Sequence, residues 1–316
     1  MVSINKEALK VVDQLLADPE YFNVKVEKLP CGATVIDTGV EIASGYLAGL
    51  KLIEIAMGGL GTANLTFMDY GGLMLPTVVV TTDYPAISLL GSQLAGWTVK
   101  VGGFHGFGSG PARALALKPK KVFEKIGYRD QYDSAVLLLE TEMKPTNDTA
   151  LEIGKMCGVK PENVYLVLTT SNTLAGSVQV SGRVVETGLY RLDFLGFNPL
   201  KVIYATGFAP VMPPHPDPNV SVSREEDALI YGGSSQYIVD FEDEEKLKEF
   251  LLKAPAVTWP DYGKTSYEAL KAVGFDWSKL DPSFFAIGSV TIVNKKTGKV
   301  MTSGKISPEM IRKSLT

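Results

Sequence analysis

Hydrophobic positions along the chain follow two patterns that alternate. Continuous apolar runs occur at 135–140 and 164–168, where nearly every residue is apolar or β-branched. Such runs are typical of strands buried on both faces of a sheet. Residues 5–17 instead place apolar side chains three or four positions apart, which predicts an amphipathic helix. Because strands and helices alternate, the pattern predicts an α/β fold, with mixed sheets and flanking helices.

The same patterns predict the remaining elements. We expect strands at 24–27, 34–37, 52–57, 65–69, 77–82, 97–101, 202–205, 235–241, 286–293 and 300–305. The first two and the last two are expected to form hairpins. We expect helices at 84–96, 111–118, 149–157 (with a capping box from Thr149 to Glu152), 176–196, 244–253 and 308–315. Five prolines at 210–218 predict an irregular linker or lid.

Composition excludes several classes of function. The net charge is −4 and only 21% of the residues are charged, so no basic field would attract nucleic acid. We expect neither a membrane span nor a signal peptide, because no apolar run is long enough. Cys31 and Cys157 are far apart, which suits a reducing cytoplasm. Only His105 and His215 are present, so no histidine-rich metal site is expected.

The most informative polar residues lie at 177–186. Gln179, Arg183 and Glu186 stand at i, i+4 and i+7, so a continuous helix would project all three from one face. An amide, a guanidinium and a carboxylate held together are suited to binding and activating a polar molecule. An ordinary exposed Arg–Glu pair is the alternative interpretation of the same spacing.

Two helix entries are further candidates for binding. Ser109 is a good helix cap before Gly110 and Pro111, and the exposed N–H groups of such an entry favour an anion that Arg113 would also contact. A plain glycine-rich turn is the alternative. Asp83 either caps the helix that follows it or lines a cleft with Ser88 at a strand end.

Several of these segments together resemble one family, the methenyltetrahydromethanopterin cyclohydrolases of archaea and some methylotrophic bacteria. The resemblance spans nearly the whole chain in the same order. It departs at Thr265-Ser266, where Pro-Phe is expected. The matching segments are TDYPAIS at 82–88, LGSQLAGW at 90–97, GSGPARAL at 108–115, SVQVSGRVVE at 177–186, YATGFAP at 204–210, DALIYGG at 227–233 and YGK at 262–264.

The resemblance implies an activity and an architecture. Water would add to the methenyl carbon that bridges N5 and N10 of tetrahydromethanopterin, giving the 5-formyl product reversibly and without a metal or organic cofactor. Such an enzyme of one-carbon metabolism and methanogenesis would have two α/β domains, here 1–170 and 171–316, with a pocket between them, and would assemble as a cytoplasmic homotrimer. The pterin carrier would be its partner.

The resemblance also suggests roles for the candidate residues. Glu186 would act as general base and acid, Arg183 would keep it ionised and oriented, and Gln179 would assist by hydrogen bonding. The contacts with the pterin or its anionic tail would come from the two helix entries. These candidate contacts are Asp83, Ser88, Ser92, Gln93, Ser109, Gly110 and Arg113.

Two other classes of protein remain open at this point. Another enzyme of the same pterin carrier, such as a formyltransferase or a dehydrogenase, is the first. A dehydrogenase would need a nicotinamide or deazaflavin site, and the dinucleotide fingerprint is absent from the sequence. The second is a non-catalytic carrier-binding protein. The Arg183–Glu186 pair argues against it, because binding alone does not require a carboxylate beside an arginine.

Overall fold

Within residues 2–316, which the computed structural model describes, twelve strands form two six-stranded sheets. The strands are β1 (Lys25–Lys28), β2 (Thr34–Asp37), β3 (Gly61–Asp69), β4 (Met74–Thr82), β5 (Trp97–Val101), β6 (Phe104–Ser109), β7 (Ala135–Glu140), β8 (Val164–Thr169), β9 (Val202–Pro210), β10 (Ser234–Val239), β11 (Ser289–Asn294) and β12 (Val300–Gly304).

The helices flank these sheets, which confirms the predicted mixed α/β class. They are α1 (Ile4–Ala17), α2 (Pro19–Phe22), α3 (Tyr46–Ala56), α4 (Ala112–Ala116), α5 (Lys120–Ile126), α6 (Asn147–Cys157), α7 (Leu174–Ser181), α8 (Val184–Phe194), α9 (Pro218–Gly232), α10 (Glu244–Lys253), α11 (Ser266–Ala272) and α12 (Pro308–Leu315). A π-helix covers Ala86–Gln93. No helix in the described part of the chain is long and apolar enough to cross a membrane.

The chain divides into two compact units. The first contains residues 2–62 and 86–179, and the second contains residues 63–85 and 180–316. This grouping differs from the single division near residue 170 that we expected. The reason is that β4, at Met74–Thr82, pairs with β9 and so belongs to the sheet of the second unit.

The sheet of the first unit is covered on both faces. Its strand order is β1-β2-β8-β7-β6-β5, and the central strands β2, β8 and β7 run parallel. Successive side chains of a strand point to opposite faces. Accordingly, Leu137 and Leu139 pack in one core with α4 and α6, whereas Val136 and Leu138 pack in a second core with α1 and α3.

The sheet of the second unit has one face against helices and a more open second face. Its strand order is β12-β11-β10-β9-β4-β3. Strands β10 and β11 run parallel, whereas the pairs β12–β11, β10–β9 and β9–β4 are antiparallel. Helices α8 and α9 pack against β9. On the open face, the hydroxyls of Thr81 and Thr206 lie 3.0 Å apart across neighbouring strands, and those of Thr291 and Thr302 lie 2.9 Å apart.

Most predicted elements are confirmed, including both hairpins, β7, α10 and α12. The predicted strand at 52–57 is wrong, because this segment ends the buried helix α3; a short apolar run does not distinguish the two structures. The capping box of α6 is also placed wrongly, since it joins Thr146 and Thr149.

The predicted helix at 176–196 is two helices. Helix α7 ends at Ser181, and α8 begins at Val184 after a turn at Gly182 and Arg183. Glycine has low helix propensity, which favours a break at this position. The proposed single helical face of Gln179, Arg183 and Glu186 therefore does not exist as a continuous surface.

Candidate functional site

Arg183 and Glu186 form an ion pair at the start of α8. Arg183 is the residue that precedes the helix, and Glu186 lies in its first turn. Arg183 Nη1 donates a hydrogen bond to Glu186 Oε2 at 3.4 Å. The two side chains are only 12% and 7% exposed, so the alternative of an ordinary exposed pair does not describe them. A charge pair withdrawn from solvent interacts strongly, because water screens it little.

The helix itself also favours a negative charge at Glu186. The first-turn N–H groups of a helix carry a partial positive charge. Helix α8 extends over 11 residues from Val184, and Glu186 is the acidic residue in its first turn. The guanidinium and the helix terminus therefore both stabilise the carboxylate form, which is the form needed to accept a proton from water.

Two tyrosines of the second unit lie within the electrostatic reach of Glu186. Burial, followed by the charge of Glu186, raises the pKa of Tyr190. Burial likewise raises the pKa of Tyr237 far above its ordinary value, and the charge of Glu186 adds to the effect. Neither tyrosine was predicted from the sequence. Tyr190 has a local signal, since it follows Glu186 by four positions on one helix, but Tyr237 is on a distant strand and has none.

Gln179 is a buried amide near the end of α7. It is 1% exposed, and among residues 2–316 its Nε2 finds no hydrogen-bond partner. Buried amide donors are nearly always hydrogen-bonded, to protein, water or ligand. Gln179 therefore has a donor that a bound molecule could satisfy. Its role does not depend on the helical face on which we first based it.

The π-helix and the segment that leads into α4 come together in the first unit. Gly110 N donates to Ser92 O at 2.8 Å, and Arg113 Nη1 donates to Ser92 O at 2.9 Å and to Leu90 O at 3.2 Å. Arg113 Nε also donates to Lys118 O at 2.7 Å. The guanidinium is 0% exposed and donates to these carbonyls, so Arg113 supports the backbone at this position, and its contact with an anion stays a prediction.

Ser88 and Ser92 are also engaged with the backbone. Ser88 Oγ donates to Met57 O at 2.9 Å, and Ser92 Oγ donates to Ala56 O at 2.6 Å. Both serines are 0% exposed. These hydroxyls connect the π-helix to the end of α3 and satisfy carbonyls that the helix end leaves without intrahelical partners.

The remaining candidate contacts, Ser109, Gln93 and Asp83, differ in position and in burial. Ser109 is the last residue of β6 and does not cap a helix; Pro111 precedes α4, which has five residues and no side-chain cap. The serine cap that suggested an anion site here is therefore absent, and the substrate contacts of Ser109 and Gly110 stay predictions. Gln93 is 0% exposed, whereas Asp83 is exposed.

No group of three or more His, Cys, Asp or Glu side chains within residues 2–316 is arranged to hold a metal ion. The absence of a cofactor stays a prediction, as do the substrate contacts of the individual residues.

Comparisons with known proteins give consistent results over the whole chain. A family model described as "Cyclohydrolase (MCH)" matches residues 3–315. A protein of Methanocaldococcus jannaschii is 42% identical over 318 residues, covering 100% of this chain and 98% of the relative. One of Methanothermobacter marburgensis is 41% identical over 319 residues, covering 99% of each. One of Methanococcoides burtonii is 39% identical over 314 residues, covering 99% and 98%. All three relatives are named methenyltetrahydromethanopterin cyclohydrolase.

Proposed function

The chain belongs to the cyclohydrolase (MCH) family, and we propose that it hydrolyses 5,10-methenyltetrahydromethanopterin reversibly to 5-formyltetrahydromethanopterin. The names of the relatives support the substrate. The single structural observation that carries the chemistry is the buried Arg183–Glu186 pair at the start of α8.

The substrate determines what the enzyme must supply. Its bridging methenyl carbon is part of a delocalised cation and is already electrophilic, so the protein has to position a water molecule and move protons. Water oxygen bonds to the methenyl carbon, and the first proton passes to Glu186. The adduct then collapses to the N5-formyl group: its hydroxyl loses the second water proton to solvent, the carbon–N10 bond breaks, and Glu186 returns the first proton to N10. The net reaction releases one proton.

Each member of the site has a part in these steps. Glu186 accepts the proton from water and returns one to N10, and its charge stabilises the cationic substrate. Arg183 holds the carboxylate ionised and oriented. The positive charge of Arg183 opposes that of the substrate, which is why a close carboxylate is needed. The buried amide of Gln179 donates a hydrogen bond to the substrate or the water.

The remaining features of the proposal come from the resemblance. Asp83, Gln93, Ser109 and Gly110 are kept as predicted contacts of the pterin or its tail. We further propose that the reaction uses no metal or organic cofactor. We also propose that the enzyme is a cytoplasmic homotrimer in one-carbon metabolism, and analytical ultracentrifugation of the purified chain tests the trimer.

A direct assay distinguishes this function from its rivals. Purified protein is mixed with the methenyl carrier in buffer containing a metal chelator and no nicotinamide, and the absorbance of the methenyl chromophore is followed. We expect catalytic loss of absorbance and formation of the 5-formyl product. A stoichiometric change without turnover would favour a carrier-binding protein, and turnover only with an added nicotinamide or deazaflavin would favour a dehydrogenase.

A further inference from the structure

Strand β10 holds the first turn of α8 through two hydroxyl groups. Tyr237 OH donates to Val185 O at 2.8 Å, and Ser235 Oγ donates to Val184 O at 3.2 Å. Val184 and Val185 are the two residues directly before Glu186. The backbone that carries the proposed base is therefore attached to the sheet at adjacent carbonyls, and both attachments lie within the second unit.

Gly188 of α8 lies next to the Tyr237 hydroxyl and has no side chain that would displace it. A Cβ at Gly188 would overlap Tyr237 OH, since the two atoms would be far closer than side-chain atoms approach one another. Its next neighbours would be Ile287 Cδ1 at 3.0 Å and Tyr237 Cζ at 3.3 Å. Glycine in a helix interior costs stability relative to alanine, so its presence here needs a reason. The close approach of the Tyr237 hydroxyl supplies that reason.

The environment keeps the Tyr237 hydroxyl a donor. The residue is 0% exposed, and burial raises its pKa far above the ordinary value for tyrosine. The nearby charge of Glu186 acts in the same direction, because it disfavours a second negative charge. The proton therefore stays on the phenol throughout the pH range in which the enzyme would work.

We propose that Tyr237 is a positioning residue that sets the place of the Glu186 carboxylate through the Val185 carbonyl. The inference rests on the proposed function. Proton transfer to and from a substrate depends steeply on the separation of the reacting atoms, and a displacement of about 1 Å can lower a rate by about a hundredfold. A hydroxyl that fixes the first turn of α8 consequently acts on turnover more than on substrate binding.

The test compares two tyrosine-to-phenylalanine variants. Tyr237→Phe removes the hydroxyl and keeps the ring. Tyr128→Phe is the matched control, since Tyr128 is 3% exposed and its hydroxyl also donates to a backbone carbonyl, Val2 O, at 2.9 Å. Each variant is assayed for kcat and KM with the methenyl carrier, and its thermal unfolding midpoint is measured.

We expect both variants to lose a similar amount of stability, whereas only Tyr237→Phe loses about tenfold in kcat with KM nearly unchanged. Equal kcat values for the two variants would overturn the inference while leaving the proposed function intact. A rise in KM at constant kcat would also overturn it. An inactive wild-type protein would refute the proposed function, and the inference would fail with it.

A second pair of variants tests the fit between the glycine and the hydroxyl. Gly188→Ala alone should lower the unfolding midpoint and kcat, because its methyl group meets the Tyr237 hydroxyl. The double variant Gly188→Ala/Tyr237→Phe removes that overlap and should recover part of the lost stability. Strictly additive losses would show that the hydroxyl does not fill the space left by Gly188 and would contradict the positioning contact.

Discussion

Arg113 is buried and Arg183 is largely buried, and the two arginines have different hydrogen-bond partners. Arg113, in the first unit, is 0% exposed and donates to the carbonyl oxygens of Leu90, Ser92 and Lys118. Its guanidinium also lies 5.6 Å from the centre of the Phe123 ring. Arg183, in the second unit, pairs with the carboxylate of Glu186. The sequence marked Arg113 as a cation at a helix entry and Arg183 as a cation between Gln179 and Glu186 on one predicted helical face.

The hydrogen-bond partners of an arginine therefore indicate its role better than the exposed fraction of its side chain does. The carbonyl oxygens around Arg113 accept hydrogen bonds from its Nε and Nη1 and connect the π-helix with the segment after α4, but they supply no group that accepts or releases a proton. The partner of Arg183 is a carboxylate, which does both. This difference leads to separate expectations for stability and for turnover in variants of the two residues.

The largest effect on turnover among these variants is expected for Arg183→Ala. The change leaves Glu186 without its guanidinium partner, so the carboxylate is neither oriented nor favoured in its ionised form. We expect kcat to fall by about a thousandfold, within the range that general acid–base catalysis contributes. Steady-state kinetics with the methenyl carrier measures this, with circular dichroism as the control for folding. A folded variant with near-normal kcat would remove the distinction between the two arginines.

Arg113→Ala should act mainly on stability. Loss of the guanidinium leaves buried carbonyls without donors, and we expect the free energy of unfolding to fall by about 3 kcal/mol. Denaturant unfolding measures the loss, and Arg129→Ala, at an exposed arginine, should change it by less than about 0.5 kcal/mol. A stable Arg113→Ala protein with a greatly raised KM would instead identify Arg113 as a contact of the substrate tail.

Asp227 is a useful contrast to Glu186, because its buried carboxylate accepts hydrogen bonds from neutral groups, whereas Glu186 pairs with a guanidinium. Ser266 donates to its Oδ1 from N at 2.8 Å and from Oγ at 2.6 Å, and burial raises its pKa from 3.8 to about 6. The nearby charge of Glu268 acts in the same direction. Since the native carboxyl holds its proton more tightly than the unfolded chain, unfolding releases a proton between these pKa values. The stabilising contribution is present below the lower value and is lost as the pH rises through the higher one.

Asp227→Asn should remove this pH dependence. We expect the difference in unfolding free energy, wild type minus variant, to fall by about 2 kcal/mol between about pH 4 and pH 7. Denaturant unfolding at a series of pH values measures it. A difference that is constant with pH would mean that Asp227 titrates normally despite its burial.

The smallest effect is expected for Ser92→Ala. The variant loses the hydrogen bond to Ala56 O, so the free energy of unfolding should fall by about 1 kcal/mol. The KM for the methenyl carrier should stay close to that of the wild type, which kinetic assays of the folded variant measure. A several-fold rise in KM without loss of stability would place the π-helix in the substrate site after all.

Much of the fold was predictable because its strands carry a strong local signal. The run at Ala135–Glu140 is buried on both faces, and its apolar character alone predicted β7. Helix α9 was missed, because its buried residues include Ser221, Glu225 and Asp227, so no apolar face marks it. The exchange of residues 63–85 into the second unit depends on pairing between β4 and β9. Pairing between strands that are distant in sequence cannot be predicted from the local periodicity of hydrophobic residues.

The site was predictable only in part for the same reason. Arg183 and Glu186 are three positions apart, so their pairing follows from local geometry. The backbone carbonyls around Arg113 come from segments up to 23 residues away, and the hydroxyl of Tyr237 reaches Val185 across 52 residues. Side-chain contacts with distant backbone have no spacing rule, which is why the carbonyl partners of Arg113 were not predicted and Tyr237 was missed.

The most direct test of the account is a comparison of Glu186→Gln with the wild-type protein. The substitution keeps the size of the side chain and removes the carboxylate that we propose exchanges protons with water and N10. The measurement is turnover of the methenyl carrier at saturating concentration, with the dissociation constant determined on the same sample by equilibrium titration. We predict that the folded variant binds the carrier but loses about a thousandfold or more in kcat. A near-normal kcat in Glu186→Gln would contradict the assignment of Glu186 as the catalytic base and acid.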